Sequence, residues 1–246
     1  MKERLMLIAG CSHAAGSEID GTEDSVYNRQ HTFGNLLAEQ MGRRAVNIAS
    51  NASNNQTISR TILEWFSETY DSDTMDVFVL VAWTESSRID MPMNRITWHE
   101  VWNPASDYVS KASRDYIRIN MGYKGNDEEE KVVIARCHDF ISAHTPFIEI
   151  ISANLILQIQ YFLKMKGIDY VMCNTMHMFD RYTPLNFYID QIDQTKYFNL
   201  TNNAESFYKK YKDLGFVNTK AKYWHHGEEP HALYSKELYN FINNAS

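Results

Sequence analysis

The stretch Asp76–Trp83 (DVFVLVAW) constrains the fold of this chain more than any other. After the aspartate every residue is apolar, and valine recurs at 77, 79 and 81. A run without a polar face fits a central strand of a parallel sheet that is covered on both sides. Two shorter apolar runs precede it: Leu5–Ala9 (LMLIA), ended by Gly10, and Arg44–Ala49 (RAVNIA). Helical periodicity fills the gaps between them. Phe33, Leu36, Leu37 and Met41 mark a helix within 31–42, with Gly42 as its stop, and Ile58, Ile62, Trp65 and Phe66 mark another to about residue 67. Strand, helix, strand, helix, strand predicts a doubly wound α/β fold with a parallel sheet.

Further along, 127–141 and 145–166 read as helices, the second apolar nearly all round and therefore expected to be buried. Residues 167–174 (GIDYVMCN) read as a fourth strand, 205–212 as a short helix, and 231–242 as a final helix. Residues 17–30 are polar, acidic and without period, which predicts an exposed loop. The segment 89–126 breaks the α/β rhythm. It sets Trp98, Trp102, Tyr108, Tyr116 and Tyr123 among polar residues, and is expected to be an insertion after the third strand, either a lid over the sheet edge or a peripheral helical subdomain. The 246 residues otherwise suit one large domain.

Composition narrows the function. The net charge is −7 and no long Lys/Arg run occurs, which argues against a nucleic-acid groove, because phosphate binding relies on clustered positive charge. Cys11, Cys137 and Cys173 are odd in number and widely spaced, so a disulfide framework is not expected and a reducing compartment such as the cytoplasm is. Lys2, Arg4 and LMLI before Ala9-Gly10-Cys11 imitate a lipoprotein signal, but the apolar run is shorter than the roughly 7–15 residues of such a segment. No run approaches the ~18–20 consecutive apolar residues of a membrane span, and no membrane partner is expected. The histidines lack a spacing such as H-E-x-x-H, and neither metal nor other cofactor is expected.

The chemistry-bearing residues gather where the predicted strands end. Gly10-Cys11-Ser12-His13-Ala14-Ala15-Gly16 closes the first strand, and glycine at the break lets Ser12 stand at the sheet's carboxyl edge, where open α/β sheets bind ligands. A serine nucleophile needs a base, an oxyanion hole and usually an acid that orients the base. Asn47–Asn55 (NIASNASNN) follows the second strand, Thr84-Glu85-Ser86-Ser87-Arg88 follows the third, and His225-His226 precede the last helix.

These blocks, in this order, resemble those of the SGNH (GDSL-like) hydrolases, and the combination GCSxxxG, NxAxxASN and WTxxxR looks most like SGNH-like proteins of tailed bacteriophages. The resemblance implies a three-layer α/β/α sandwich of the SGNH/flavodoxin-like kind and metal-free hydrolysis of an acyl ester, such as an O-acetylated carbohydrate. For a phage protein it implies the host cytoplasm or the virion. It makes Ser12 the nucleophile and His225 or His226 the base, with His225 favoured because it keeps the family's spacing to His231. The oxyanion hole would comprise the N–H of Ser12, that of the loop at Asn51, and a third donor.

Three positions depart from the pattern. Cys11, Glu85 and Lys222 stand where the family has Asp, Asn and Asp. An ionised glutamate cannot donate, so Thr84 or Asn54 becomes the expected third donor, and a backbone carbonyl, Glu228 or Glu229 the group that orients the base. A second reading follows from the same departures: a relative that has lost catalysis and serves as a binding or virion-associated structural module. Read without the family, Ser12 would cap a turn, His231 would pack on the sheet and His13 would lie beside the site or in solvent.

Overall fold

A computed structural model describes residues 1–92, 105–108, 116–119, 128–176, 178–179 and 183–244. Five parallel strands form the main sheet: β1 (Glu3–Gly10), β2 (Arg44–Asn47), β3 (Met75–Trp83), β6 (Asp169–Asn174) and β7 (Tyr197–Phe198), in the order β2-β1-β3-β6-β7. This is the flavodoxin-like order, whose topological switch point lies between its first and third strands. Ile8 pairs with Leu80 and Gly10 with Ala82, so these two strands end side by side.

Alternation along the strands splits the core into two apolar layers, because successive side chains point to opposite faces. Leu5, Leu7 and Ala9 with Val77, Val79 and Val81 pack against Ile58, Ile62 and Trp65 of α4 (Asn55–Glu68) and against Ile156, Ile159 and Leu163 of α6 (Thr145–Met165). Met6, Ile8, Phe78, Leu80 and Ala82 pack on the other side against α3 (Phe33–Gln40), α8 (Phe207–Asp213) and α9 (Glu228–Asn244). The three-layer α/β/α sandwich is therefore the architecture of this chain.

Several boundaries differ from the sequence reading, each for a local reason. Helix α4 begins three residues earlier than expected, because the Asn54 side chain accepts the Thr57 N–H as an N-cap. The short edge strand β7 has too little sequence for any periodicity to reveal it. Helix α6 is only partly covered, with Phe147, Tyr161 and Met165 exposed. It is the one helix among the described residues long and apolar enough to cross a membrane, and half of its most apolar window is packed inside the fold, as in a core helix. Polar residues interrupt its apolar run, so no stretch of ~18–20 consecutive apolar residues marks it in the sequence.

The largest correction concerns 17–30. Ser17, Glu18 and Ile19 are buried, and α2 (Val26–Gln30) buries Asn28 and Arg29. Arg29 pairs with Asp24 at 2.9 Å and donates to the carbonyls of Asn47 and Ala49, so its buried charge is satisfied within the fold, while residues 21–23, 26, 27 and 30 are exposed as expected.

The expected insertion begins as an antiparallel pair, β4 (Ile89–Pro92) with β5 (Tyr116–Ile119). Asp90 ties it to the start of α4. Its Oδ1 accepts from Asn54 Nδ2 at 2.6 Å, and its Oδ2 from Thr57 Oγ1 at 2.6 Å and Arg60 Nη2 at 2.5 Å. The Arg60 guanidinium lies 3.9 Å from the centre of the Tyr116 ring. Helix α5 (Glu128–Ala143) continues the chain, and Ile119 joins Ile134, Ile141 and Ile148 in a small third core. Helix α7 (Thr183–Ile189) packs beside α6. Trp98, Trp102, Tyr123 and most of the expected lid lie outside the described residues.

His231 packs where expected, stacked on Phe33 and accepting the Phe33 N–H at Nδ1, 3.1 Å away. Burial pushes its imidazole down to about 3, with smaller contributions from His226 and His225. A proton bound in the unfolded chain and excluded from the fold makes stability rise with pH, so His231 destabilises the fold progressively as pH falls below 6.5. Between about pH 6.5 and pH 5 this amounts to about 2 kcal/mol. Urea denaturation should therefore give a lower midpoint at pH 5 than at pH 7.5. His231→Asn, which keeps an acceptor for Phe33, should flatten that dependence, and an equal slope in both proteins would contradict it.

Candidate active site

The site forms where β1 and β3 end. Gly10 is required there, since a Cβ would lie 2.6 Å from the Ala14 Cβ and 2.9 Å from the Ala82 carbonyl oxygen. Cys11, at the position of the family's aspartate, is buried with Sγ 3.2 Å from Thr175 Oγ1, whose hydroxyl donates to the Trp83 carbonyl. The one-turn helix α1 (Ser12–Ala15) opens on Ser12 and closes at Gly16, which takes the left-handed conformation at φ 80°. Ser12 is 7 % exposed, and among the described residues its backbone N–H has no acceptor.

Glu18 is the residue the sequence reading missed. It follows the Gly16 turn, itself holds φ 64°, and is 1 % exposed. That left-handed backbone costs a side-chain-bearing residue about 1–2 kcal/mol, and four side-chain contacts oppose the cost. Oε1 accepts the N–H groups of Lys222 at 2.9 Å and Tyr223 at 3.1 Å. Oε2 accepts Tyr223 N–H at 3.2 Å and meets His225 Nδ1 at 2.7 Å. The opposite nitrogen of that ring, Nε2, lies 2.9 Å from Ser12 Oγ. This network assigns the Nδ1–H tautomer, which leaves Nε2 to accept the serine proton.

Serine, imidazole and carboxylate thus form one chain of hydrogen bonds, with the acid supplied from six residues after the serine. The expected orienting groups are elsewhere: Glu228 accepts from the Tyr27 hydroxyl, and His225 Nδ1 bonds a carboxylate rather than a backbone carbonyl. Sequence proximity to the histidine pointed to Glu228 and Glu229. The available signal for Glu18 was an acidic residue set between Gly16 and Gly21, beside the apolar Ile19.

His225 and His226 part company. His226 is buried among Phe207, Tyr208 and Tyr211 and bonds the Tyr208 carbonyl through Nε2 at 3.0 Å, so it is not the ring that meets Ser12. His225 is stacked under Trp224, with centroids 5.2 Å apart and planes at 13°. Burial lowers the His225 imidazole below its ordinary 6.5, partly opposed by the hydrogen bond and charge of Glu18. His13, expected beside the site or in solvent, is buried within a ring cage of Phe207, Tyr208, Trp224 and His225. Burial holds it well below 6.5, and neither ring nitrogen has a partner among the described residues.

The expected oxyanion donors divide similarly. The Ser50 N–H donates to the Gly10 carbonyl at 3.1 Å, which brings the loop bearing Asn51 against the end of β1. The Asn51 side chain is an anchor, accepting from Ser17 Oγ and donating to the Glu23 carbonyl. Asn54 has its amide committed to Asp90 and its oxygen to the α4 cap. Thr84 donates its N–H to Asn55 Oδ1 at 3.0 Å, and its hydroxyl is sealed without a partner among the described residues. Glu85 accepts from Arg88. No group of three or more His, Cys, Asp or Glu side chains among the described residues is arranged to hold a metal ion.

No protein-family model and no curated protein sequence matches the chain. Its fold is similar to those of solved carbohydrate esterases. These include one whose active site displays divergent catalytic and non-catalytic binding functions (9 % identity, TM-score 0.44). Another is a carbohydrate esterase family 2 enzyme with a carbohydrate-binding domain from Corynascus thermopiles (Myceliophthora fergusii) (12 %, 0.44). A third is an acetyl xylan esterase from the rumen bacterium Butyrivibrio proteoclasticus (10 %, 0.44). The alignments cover 98–99 % of this chain and 64–66 % of those structures, so the chain spans just under two-thirds of their length.

The Glu18 network should rigidify the segment before α9. Glu18→Ala should speed amide hydrogen exchange at Lys222 and Tyr223 while leaving β3 amides protected, and unchanged exchange at those two amides would refute the assignment.

Proposed function

We propose that this protein is a serine esterase of the SGNH type, with Ser12 as nucleophile, His225 as base and Glu18 as the acid that orients it. The observation that carries this reading is the Ser12–His225–Glu18 chain, with contacts of 2.9 and 2.7 Å at opposite nitrogens of one ring. Ser12 Oγ attacks the ester carbonyl carbon as His225 Nε2 takes the hydroxyl proton, and the carbonyl π pair moves onto oxygen. The N–H groups of Ser12 and Asn51 would face that oxygen. Glu18 stabilises the imidazolium through Nδ1–H. Collapse expels the alcohol, which takes the proton back from Nε2, and a water activated by the same nitrogen hydrolyses the acyl-enzyme.

A carbohydrate ester suits the rim of the site. Trp224, stacked on the His225 ring, is 42 % exposed, and Tyr223 is also exposed. The resemblance to phage-encoded proteins would set such an enzyme in the host cytoplasm or on the virion. The alternative of a non-catalytic binding module drew on the missing triad acid and on the missing amide after the third strand; Glu18 answers the first of these and supports the catalytic reading.

Wild type should hydrolyse p-nitrophenyl acetate and react with a fluorophosphonate probe. Ser12→Ala should abolish both, and Glu18→Gln should lower kcat by roughly 10²–10⁴. Equal rates in wild type and Ser12→Ala would end the esterase reading. Because His225 must be neutral to accept a proton, kcat/KM should fall on the acid side with a midpoint below 6.5. A limb centred above 6.5 would show that another group controls the reaction.

A further inference from the structure

The loop after β3 holds an arginine that the proposed triad does not use. Arg88 has a side chain only 8 % exposed, and its Nε donates to Glu85 Oε1 at 2.5 Å. Nη1 and Nη2 have no protein partner among the described residues. They are also not sealed, unlike the Nε atoms of Arg43 and Arg60 and the hydroxyl of Thr84. A guanidinium carries five N–H donors in a rigid fork. With one donor in use and the Nη groups open, the fork is free to meet an acceptor that enters from that side.

The loop is held at both ends. Behind it, the Thr84 N–H and carbonyl are both bonded by the Asn55 side chain. Ahead of it, Asp90 takes Asn54, Thr57 and Arg60 on its carboxylate and donates its own N–H to Gln56 Oε1 at 2.7 Å. Since Gly10 and Ala82 are paired, Ser12 and the 84–88 loop leave the sheet at the same level of adjacent strands. Burial is the main reason the His13 and His225 imidazoles lie below their ordinary value, and the Arg88 charge adds a smaller push in the same direction at both.

We infer that the free fork of Arg88 is the third donor to the oxyanion formed when Ser12 attacks an ester, in place of a neutral amide at the end of β3. The inference rests on the esterase reading. The two side chains expected to donate from this region are not available, since Asn54 serves Asp90 and Thr84 is sealed, and Glu85 is an acceptor. Glu85 offsets the resting charge of Arg88, so the cation gains most when negative charge appears on the former carbonyl oxygen. Arg88 donates hydrogen bonds while the Oγ–C bond forms and His225 takes the serine proton.

The test is steady-state hydrolysis of p-nitrophenyl acetate, a small neutral ester, by wild type, Ser12→Ala, Arg88→Ala and Arg88→Lys, with thermal melts of each. Arg88→Ala should lower kcat about 10²–10³ with KM within about threefold. Millimolar guanidinium chloride should restore part of that loss in Arg88→Ala and none in Ser12→Ala, a response no structural defect would give. If Arg88→Ala does not fold, Arg88→Lys carries the test: it keeps the charge beside Glu85 but not the fork, and should lose about tenfold in kcat. A kcat in the folded Arg88 variant within threefold of wild type, or a loss seen in KM alone, would overturn the role of Arg88 while leaving the esterase reading intact. Wild type no faster than Ser12→Ala would overturn both.

Discussion

The buried carboxylate of Glu18 joins the two ends of the chain. One oxygen holds the backbone of Lys222 and Tyr223, and the other reaches Tyr223 and the His225 ring. Without an acceptor at that point, a segment with little regular structure between α8 and α9 would have to present a histidine to Ser12 unaided. A charge buried to this depth is tolerable only when its lone pairs are filled, and here three backbone contacts and one imidazole fill them. The same bonds that make the carboxylate tolerable therefore position the His225 ring beside Ser12.

The backbone that delivers Glu18 is itself under constraint. Gly16 at φ 80° and Glu18 at φ 64° are both left-handed, and the pair turns the chain back beneath Ser12 within a few residues. Gly16 has no substitute, because a Cβ would lie 2.6 Å from the Asn28 carbonyl oxygen and the Thr32 Cγ2. Residues held in such conformations concentrate at functional sites, where the surroundings over-determine them. The short helix α2 and the Arg29–Asp24 pair provide those surroundings, which is why a segment that reads as solvated buries Ser17–Ile19, Asn28 and Arg29 while 21–23, 26, 27 and 30 stay exposed.

The edge of the sheet supplies the remaining order. Because β1 and β3 are adjacent, three loops from distant parts of the sequence open on one crevice, and each is pinned by a side chain turned inward: Ser17 to Asn51, Asn55 to Thr84, Asp90 to Asn54. Polar residues that a family pattern would assign to substrate are spent on this scaffolding. The rings of Phe207, Trp224 and His225 pack around His13, so among the described residues the position after Ser12 is filled by packing rather than by hydrogen bonds.

The doubly wound fold was legible in the sequence because apolar periodicity is a local property: the Asp76–Trp83 run, the glycine at the end of β1 and the spacing of Ile58, Ile62 and Trp65 need no distant partner to be read. Ser12 and His225 were legible for a similar reason, each lying in a short block at the end of an element. The acid was not. Glu18 and His225 are separated by 207 positions and meet only through two left-handed turns, and no local pattern distinguishes a carboxylate that will be buried from its exposed neighbours. The division between His225 and His226, and the commitment of Asn54 to Asp90 rather than to the site, were likewise decided by packing. Which element a residue occupies follows from its neighbours in sequence. Which partner consumes its hydrogen bonds is settled only when the sheet brings the loops together.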